Sequence, residues 1–91
     1  MQYKVIFTPK ALKQLKKLDR QTSKHIYNWI MEKLNNSTDP RQHGKALQAN
    51  RTGEWRYRIG NYRVLADIID EKVIIEVFKI EHRSTVYKIK R

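Results

Sequence analysis

The sequence predicts an α+β fold. An antiparallel sheet of about four strands carries an N-terminal helical hairpin on one face, in the order β-α-α-β-β-β, with a short C-terminal helix or tail. Three features point to it. Glu54–Leu65 alternates large apolar and arginine side chains around Gly60-Asn61, the pattern of a hairpin with a two-residue loop. Two runs ahead of it repeat apolar residues at helical spacing. Val64–Ile69 and Val73–Ile80 are apolar runs separated by the acidic turn Asp70-Glu71, which extends the hairpin into a three-strand meander.

At 91 residues the chain reads as a single domain, 1–91, with a core near the lower end of what folds unaided. A hydrophobic content of 40% argues against disorder despite the charge. With no cysteine there is no disulfide framework and no thiol chemistry, and 3 scattered histidines form no zinc spacing. No metal and no cofactor is expected. No apolar run approaches the roughly 20 residues of a membrane span, and the first residues do not resemble a signal peptide. The expectation is a soluble cytoplasmic protein with no membrane partner. Against 9 acidic residues stand 20 Lys+Arg, a net charge of +11. Such a field attracts polyanions and speeds their encounter, so nucleic acid or an acidic protein is the expected counterpart.

Taken in order, Tyr3–Phe7 alternates as a strand with one buried face. Thr8 suits a helix N-cap and Pro9 the first helical position. A helix from Pro9 to about Asp19 places Ala11, Leu12, Leu15 and Leu18 on one side. Its lysines read first as a solvated face, and second as a docking surface. Gln21–Ser23 breaks the pattern and offers caps for a second helix, about Lys24–Asn35. Ile26, Tyr27, Ile30 and Leu34 form its core stripe, with Trp29 and Met31 at the margins. His25 reads as a surface residue.

Turn formers from Asn35 to Pro40 end that helix, and Arg41–Gly53 is the longest irregular stretch. Leu47 is its expected anchor in the core. Lys45 and Arg51 either extend a phosphate-binding surface or are simply solvated. His43 reads as an exposed loop residue.

If Gly60-Asn61 is the loop, Ile59 pairs with Tyr62, Arg58 with Arg63 and Arg56 with Leu65. Trp55, Tyr57 and Ile59 then point one way, and Arg56, Arg58 and Arg63 the other. Like charges placed directly opposite destabilise a sheet. One reading is a solvated edge of long side chains. The functional reading is a preorganised anion site, because guanidinium forks match phosphate oxygens. With Asp70-Glu71 as a two-residue loop, Val64, Ala66 and Ile68 share the side of Val73, Ile75 and Val77 beneath the helices. Leu65, Ile74 and Phe78 then lie on the arginine side, as the floor of a shallow pocket.

Two motifs carry a family resemblance: Trp55-Arg56-Tyr57-Arg58-Ile59-Gly60-Asn61-Tyr62-Arg63-Val64, and Ile80-Glu81-His82-Arg83-Ser84-Thr85-Val86-Tyr87. In this order, in a basic chain of this size, they resemble a RelE-type toxin of the RelE/ParE superfamily, and the resemblance covers essentially the whole length. It implies the fold predicted above and a ribosome-dependent mRNA endonuclease (mRNA interferase) that cuts the A-site codon and inhibits translation. It also implies a cognate acidic antitoxin, with operator DNA bound only through the antitoxin complex. The ribosome and mRNA would be its other partners. By position, Arg56 and Arg58 stand where the family places basic residues that grip RNA and catalyse. Arg63 matches its phosphate-contacting arginine, Arg83 its catalytic arginine near the last strand, and Tyr87 its C-terminal tyrosine. Some relatives carry lysine at the first two of these positions, and an ammonium can lose a proton where a guanidinium effectively cannot.

Metal-independent RNA cleavage requires the 2′-OH deprotonated, the pentavalent phosphate stabilised and the 5′-oxygen protonated. Fixed guanidinium donors suit the middle task, typically the largest catalytic contribution. For proton transfer His82 and Tyr87 are the neighbouring candidates beside Glu81. Histidine titrates near neutrality, whereas tyrosine serves only if the arginines favour its phenolate. The plainer readings are a satisfied structural histidine at His82 and a stacking or packing role for Tyr87. The catalytic candidates are thus Arg58, Arg63, His82, Arg83 and Tyr87, with Lys45, Arg51, Arg56, Arg58 and Arg63 binding RNA. The alternative is a ParE-like toxin that inhibits DNA gyrase without cutting RNA. A third reading, a plain nucleic-acid-binding module, lacks an evident base-reading helix.

Overall fold

Residues 1–46 and 54–82 are described by the computed structural model. Strand β1 (Lys4–Phe7) leads into helices α1 (Pro9–Lys17) and α2 (Arg20–Lys33). Strands β2 (Lys45–Ala46), β3 (Glu54–Ile59), β4 (Tyr62–Ile69) and β5 (Ile74–His82) follow, in a five-stranded sheet of order β1-β5-β4-β3-β2. The antiparallel meander of β3, β4 and β5 is as predicted. The sheet differs at both edges: β1 runs parallel to β5, and β2 adds a two-residue antiparallel strand against β3. Alternation tells which face a strand buries, and it carries no information on the neighbour or its direction.

Capping sets the helices. Thr8 Oγ1 accepts a hydrogen bond from the Ala11 N–H at 3.1 Å, with Pro9 at the first position. The first helix stops at Lys17, two residues early, because Asp19 belongs to the next one. Its Oδ2 accepts from the Thr22 N–H at 3.1 Å. Helix α2 therefore starts at Arg20 instead of Lys24, and Gln21–Ser23 form its first turn. Aspartate is among the strongest N-caps, and its charge is favoured at the positive end of the helix dipole. The bond from Thr22 accordingly holds the Asp19 carboxyl below the usual carboxylate range.

One apolar cluster joins Ala11 and Leu15 of α1, Ile26 and Ile30 of α2 with Leu34 after it, and the inward residues of the sheet. Trp29 packs against this cluster, whereas Tyr27 is 44% exposed and stacks on Phe7, and Leu12 is likewise exposed. The helical stripe is thus narrower than predicted. Tyr57 is fully buried, and its hydroxyl donates to the Pro40 carbonyl at 2.7 Å. Burial pushes its phenol well above the usual tyrosine range.

The β4–β5 connection is a 3-10 turn, Asp70–Lys72, followed by Val73 in the left-handed region at φ 55°. It replaces the predicted two-residue loop, and Val73 leaves the core row. Ile69 pairs with Ile74, which shifts the register by two residues from the predicted loop: Ile68 faces Ile75 and Ala66 faces Val77, and both keep their predicted side of the sheet. A bulge then intervenes: Ala66 pairs with Val77 but Leu65 with Lys79, leaving Phe78 as the extra residue. Unbulged pairing would set Lys79 opposite buried Val64. With the bulge, Ile80 enters the core, and Lys79 and Glu81 join the face of the arginines. The Ile80 N–H donates to Gln14 Oε1 of α1 at 2.8 Å, which satisfies a backbone group beside the irregularity. Among the described residues no helix is long and apolar enough to cross a membrane.

Candidate nucleic-acid interface

The β3–β4 hairpin has the predicted register, with Ile59 opposite Tyr62, Arg58 opposite Arg63 and Arg56 opposite Leu65. Gly60 takes φ 57° in the turn, a left-handed conformation open to glycine at no steric cost. The face away from the helices is thereby ordered into rows. One runs Lys45–Arg56–Leu65–Lys79, and the next runs Arg58–Arg63–Glu81. A third row, Glu54–Asp67–Glu76, collects three of the chain's nine acids at the other end of the face. The sheet surface thus has a basic half and an acidic boundary.

A cleft of about 350 Å³ opens on the basic half, lined by Gln42, His43, Gly44, Lys45, Arg56, Arg58 and Arg63. Arg56, Arg58 and Arg63 form no salt bridge among the described residues, whereas Glu81 pairs with Lys79 at 3.4 Å. Cross-strand arginines without carboxylate partners repel each other and hold their donor forks available to an incoming anion.

The wall formed by residues 41–46 is held from beneath. Arg41 grips Asp70 through two guanidinium nitrogens at 2.9 and 3.2 Å, and the Tyr3 hydroxyl donates to the same carboxylate at 2.6 Å. These bonds hold the Asp70 carboxyl below its ordinary range and raise the Tyr3 phenol above its own. The Arg41 guanidinium also lies 5.9 Å from the centre of the Trp55 ring. Gly44 lies flush on β3: a Cβ there would sit 2.4 Å from the Arg56 carbonyl oxygen and 2.6 Å from Trp55 Cδ1. Only glycine lets the wall approach this closely, and that approach brings Lys45 into register with Arg56.

Of the residues singled out in the sequence, Lys45, Arg56, Arg58 and Arg63 converge on this cleft. His82 does not. It pairs with Tyr62 in the row of buried Ile59, and its ring meets the Tyr62 ring edge-on at 4.8 Å. It therefore stands on the helix side of the sheet, since alternation beyond the bulge gives Glu81 to the arginine face and His82 to the other. Arg51, Arg83 and Tyr87, like Leu47 and the C-terminal helix or tail, lie outside the described residues. The residue that the sequence reading set aside is His43. It lines the arginine cleft, and its ring meets Trp29 edge-on at 6.1 Å. Its one signal was a position two residues before Lys45, which means nothing until Lys45 is paired with Arg56. A wider cleft of about 510 Å³ lies on the helix side, between the start of α2 and the β3–β4 turn, where Lys24, His25 and Tyr62 are its ionisable residues.

With a helical hairpin on one face of the sheet and arginines gathered on the other, the chain is a RelE-type toxin of the RelE/ParE superfamily. The chain belongs to the family described as ParE toxin of type II toxin-antitoxin system, parDE, which matches residues 5–87. It is 31% identical to Toxin RelG of Mycobacterium tuberculosis over 88 residues, covering 97% of this chain and 99% of that protein. Its fold is similar to the toxin-antitoxin complex RelBE2 of the same organism, with a TM-score of 0.80 and 28% identity over 92% of this chain and 94% of that one. It is also similar to the isolated E. coli RelE toxin, with a TM-score of 0.73 and 26% identity over 97% of this chain and 94% of that one.

Proposed function

We propose that this toxin is a ribosome-dependent mRNA endonuclease that cuts the A-site codon by attack of a ribose 2′-OH on the adjacent phosphate. The observation that carries the reading is the set of cations at the cleft, Arg56, Arg58 and Arg63 with Lys45, gathered on one face at the cost of mutual repulsion. Guanidinium groups fixed before the reaction stabilise the charge that develops on a pentavalent phosphate without reorganising. Arg63 is the proposed phosphate contact, and Arg56, Arg58 and Lys45 hold the backbone on either side. Arg83 and Tyr87 complete the proposed site, with Arg51 on its RNA-binding margin.

The proposed partner that silences the toxin is a cognate acidic antitoxin. It is supported by the charge of +11 and by the toxin-antitoxin complex RelBE2 among the similar structures. Operator DNA would be bound only through that complex.

The test is cleavage mapped by primer extension on programmed ribosomes, comparing wild type with Arg63→Ala and Arg83→Ala. Cuts within the A-site codon that disappear in the variants are expected. A folded wild-type protein that makes no cut and instead blocks gyrase supercoiling would replace this reading with the ParE-like one.

A further inference from the structure

We infer that His43 is the general base of the proposed cleavage, a role that rests on the nuclease reading above. The chemistry requires a group that can take a proton from the 2′-OH at neutral pH. Four cations line the cleft, Lys45, Arg56, Arg58 and Arg63, and ammonium and guanidinium groups have no lone pair free to accept one. Gln42 and Gly44 carry no titratable group. Glu81, the carboxylate opposite Arg63, is paired with Lys79 and does not line the cleft. His82 stands on the opposite face. Among the described residues, His43 is left as the side chain at the cleft whose type exchanges protons near neutrality.

Its position is built. The chain before it is anchored where Tyr57 bonds the Pro40 carbonyl and Arg41 grips Asp70. The chain after it is anchored where Gly44 lies flush on β3 and Lys45 pairs with Arg56. The imidazole rests edge-on against Trp29, which packs in turn on Tyr57 at 6.0 Å. Residue 43 is thus fixed where it lines the same cleft as Arg56, Arg58 and Arg63.

In the step assigned to it, an unprotonated imidazole nitrogen of His43 accepts the proton of the 2′-OH as the oxygen bonds to phosphorus. The P–O5′ bond breaks as the new O2′–P bond forms, and the departing 5′-oxygen takes a proton from water. The products are a 2′,3′-cyclic phosphate and a 5′-hydroxyl, with His43 as imidazolium. Loss of that proton to the hydroxide left by the water restores both.

The test is the single-turnover rate on programmed ribosomes for wild type, His43→Gln, His43→Phe and His43→Ala, with RNA affinity followed in parallel. His43→Gln is expected to lose about 10²- to 10⁴-fold in rate at unchanged affinity, the usual contribution of a positioned proton-transfer group. His43→Phe keeps a ring against Trp29 and is expected to be equally slow. Free imidazole should accelerate His43→Ala and leave Arg63→Ala unaffected. The acid limb of the wild-type pH–rate profile should be absent in His43→Gln.

A bridging 5′-phosphorothiolate substrate, whose leaving group needs no proton, should be cut as poorly by His43→Gln as the natural substrate relative to wild type. Cleavage at the wild-type rate by His43→Gln or His43→Phe overturns the inference and leaves the nuclease reading standing. Full recovery on the phosphorothiolate overturns the assignment as base. No cutting by the wild type overturns the nuclease reading, and this inference with it.

Discussion

Two groups of arginines stand in opposite circumstances in this molecule. Arg41 is committed: both its terminal nitrogens bind Asp70, Tyr3 shares the same carboxylate, and its charge lies over Trp55. Arg58 and Arg63 face each other across two strands and form no salt bridge among the described residues. The first arrangement lowers the energy of the fold, and the second raises it. A residue type does not announce which it will be; its partners do. Arg41 and Asp70 are structural because they neutralise each other, and the cleft arginines remain available to a ligand because no carboxylate among the described residues forms a salt bridge with them.

The largest expected separation between the two regions is in activity. Arg63→Ala should lower A-site cleavage by about 10²- to 10³-fold, the usual effect of losing one preorganised donor to transition-state charge, with the melting temperature close to wild type. The same substitution should reduce the slope of log affinity against log salt by about 0.7, the single-strand value for one phosphate contact. A full loss of fold in this variant would return Arg63 to the structural group. Gly44→Ala tests whether the committed region positions the other. Its Cβ meets backbone at Arg56, so it should cost about 1–3 kcal/mol of stability in urea unfolding. It should also weaken RNA binding as Lys45 leaves its place. Unchanged affinity would mean that the wall does not hold the RNA.

A smaller effect of opposite sign is expected at Arg58→Gln. Removing one of two facing charges should raise the melting temperature by about 1–3 °C while RNA affinity falls. A lowered melting temperature would show that the pair is not repulsive.

The smallest effect is the pH response of the clamp. Asp70 has a depressed carboxyl, so its contribution to stability is present above the ordinary carboxylate range and is lost as pH falls through and below it. Tyr3 is raised chiefly by its bond to Asp70, so its contribution holds below the ordinary tyrosine range and is lost as pH rises through and above that range. Buried Tyr57 adds to the alkaline loss in the same direction. Asp70→Asn should flatten the acid side of the stability curve, and Tyr3→Phe should soften the alkaline side. Acid unfolding identical in wild type and Asp70→Asn would show that the clamp contributes nothing.

Local rules that act over a few residues were legible in the chain itself. The Gly60-Asn61 hairpin, its register, the cross-strand arginine pair and the Thr8-Pro9 helix start follow from turn chemistry, side-chain alternation and capping, which depend only on near neighbours. Where two local signals competed, the chain alone was less decisive. Asp19 could end one helix or begin the next, and only the bond to Thr22 resolved it. Long-range pairing belonged wholly to the tertiary structure. The parallel seat of β1 beside β5 joins segments some seventy residues apart. The bulge at Phe78 reverses the alternation on which every face assignment beyond it depends, so His82 turned toward the helices and Glu81 toward the arginines. His43 entered the cleft because a glycine, an ion pair and a buried tyrosine hold its loop against β3. A pattern of period two records which face a side chain prefers, but it cannot record a one-residue slip or a contact made across the fold.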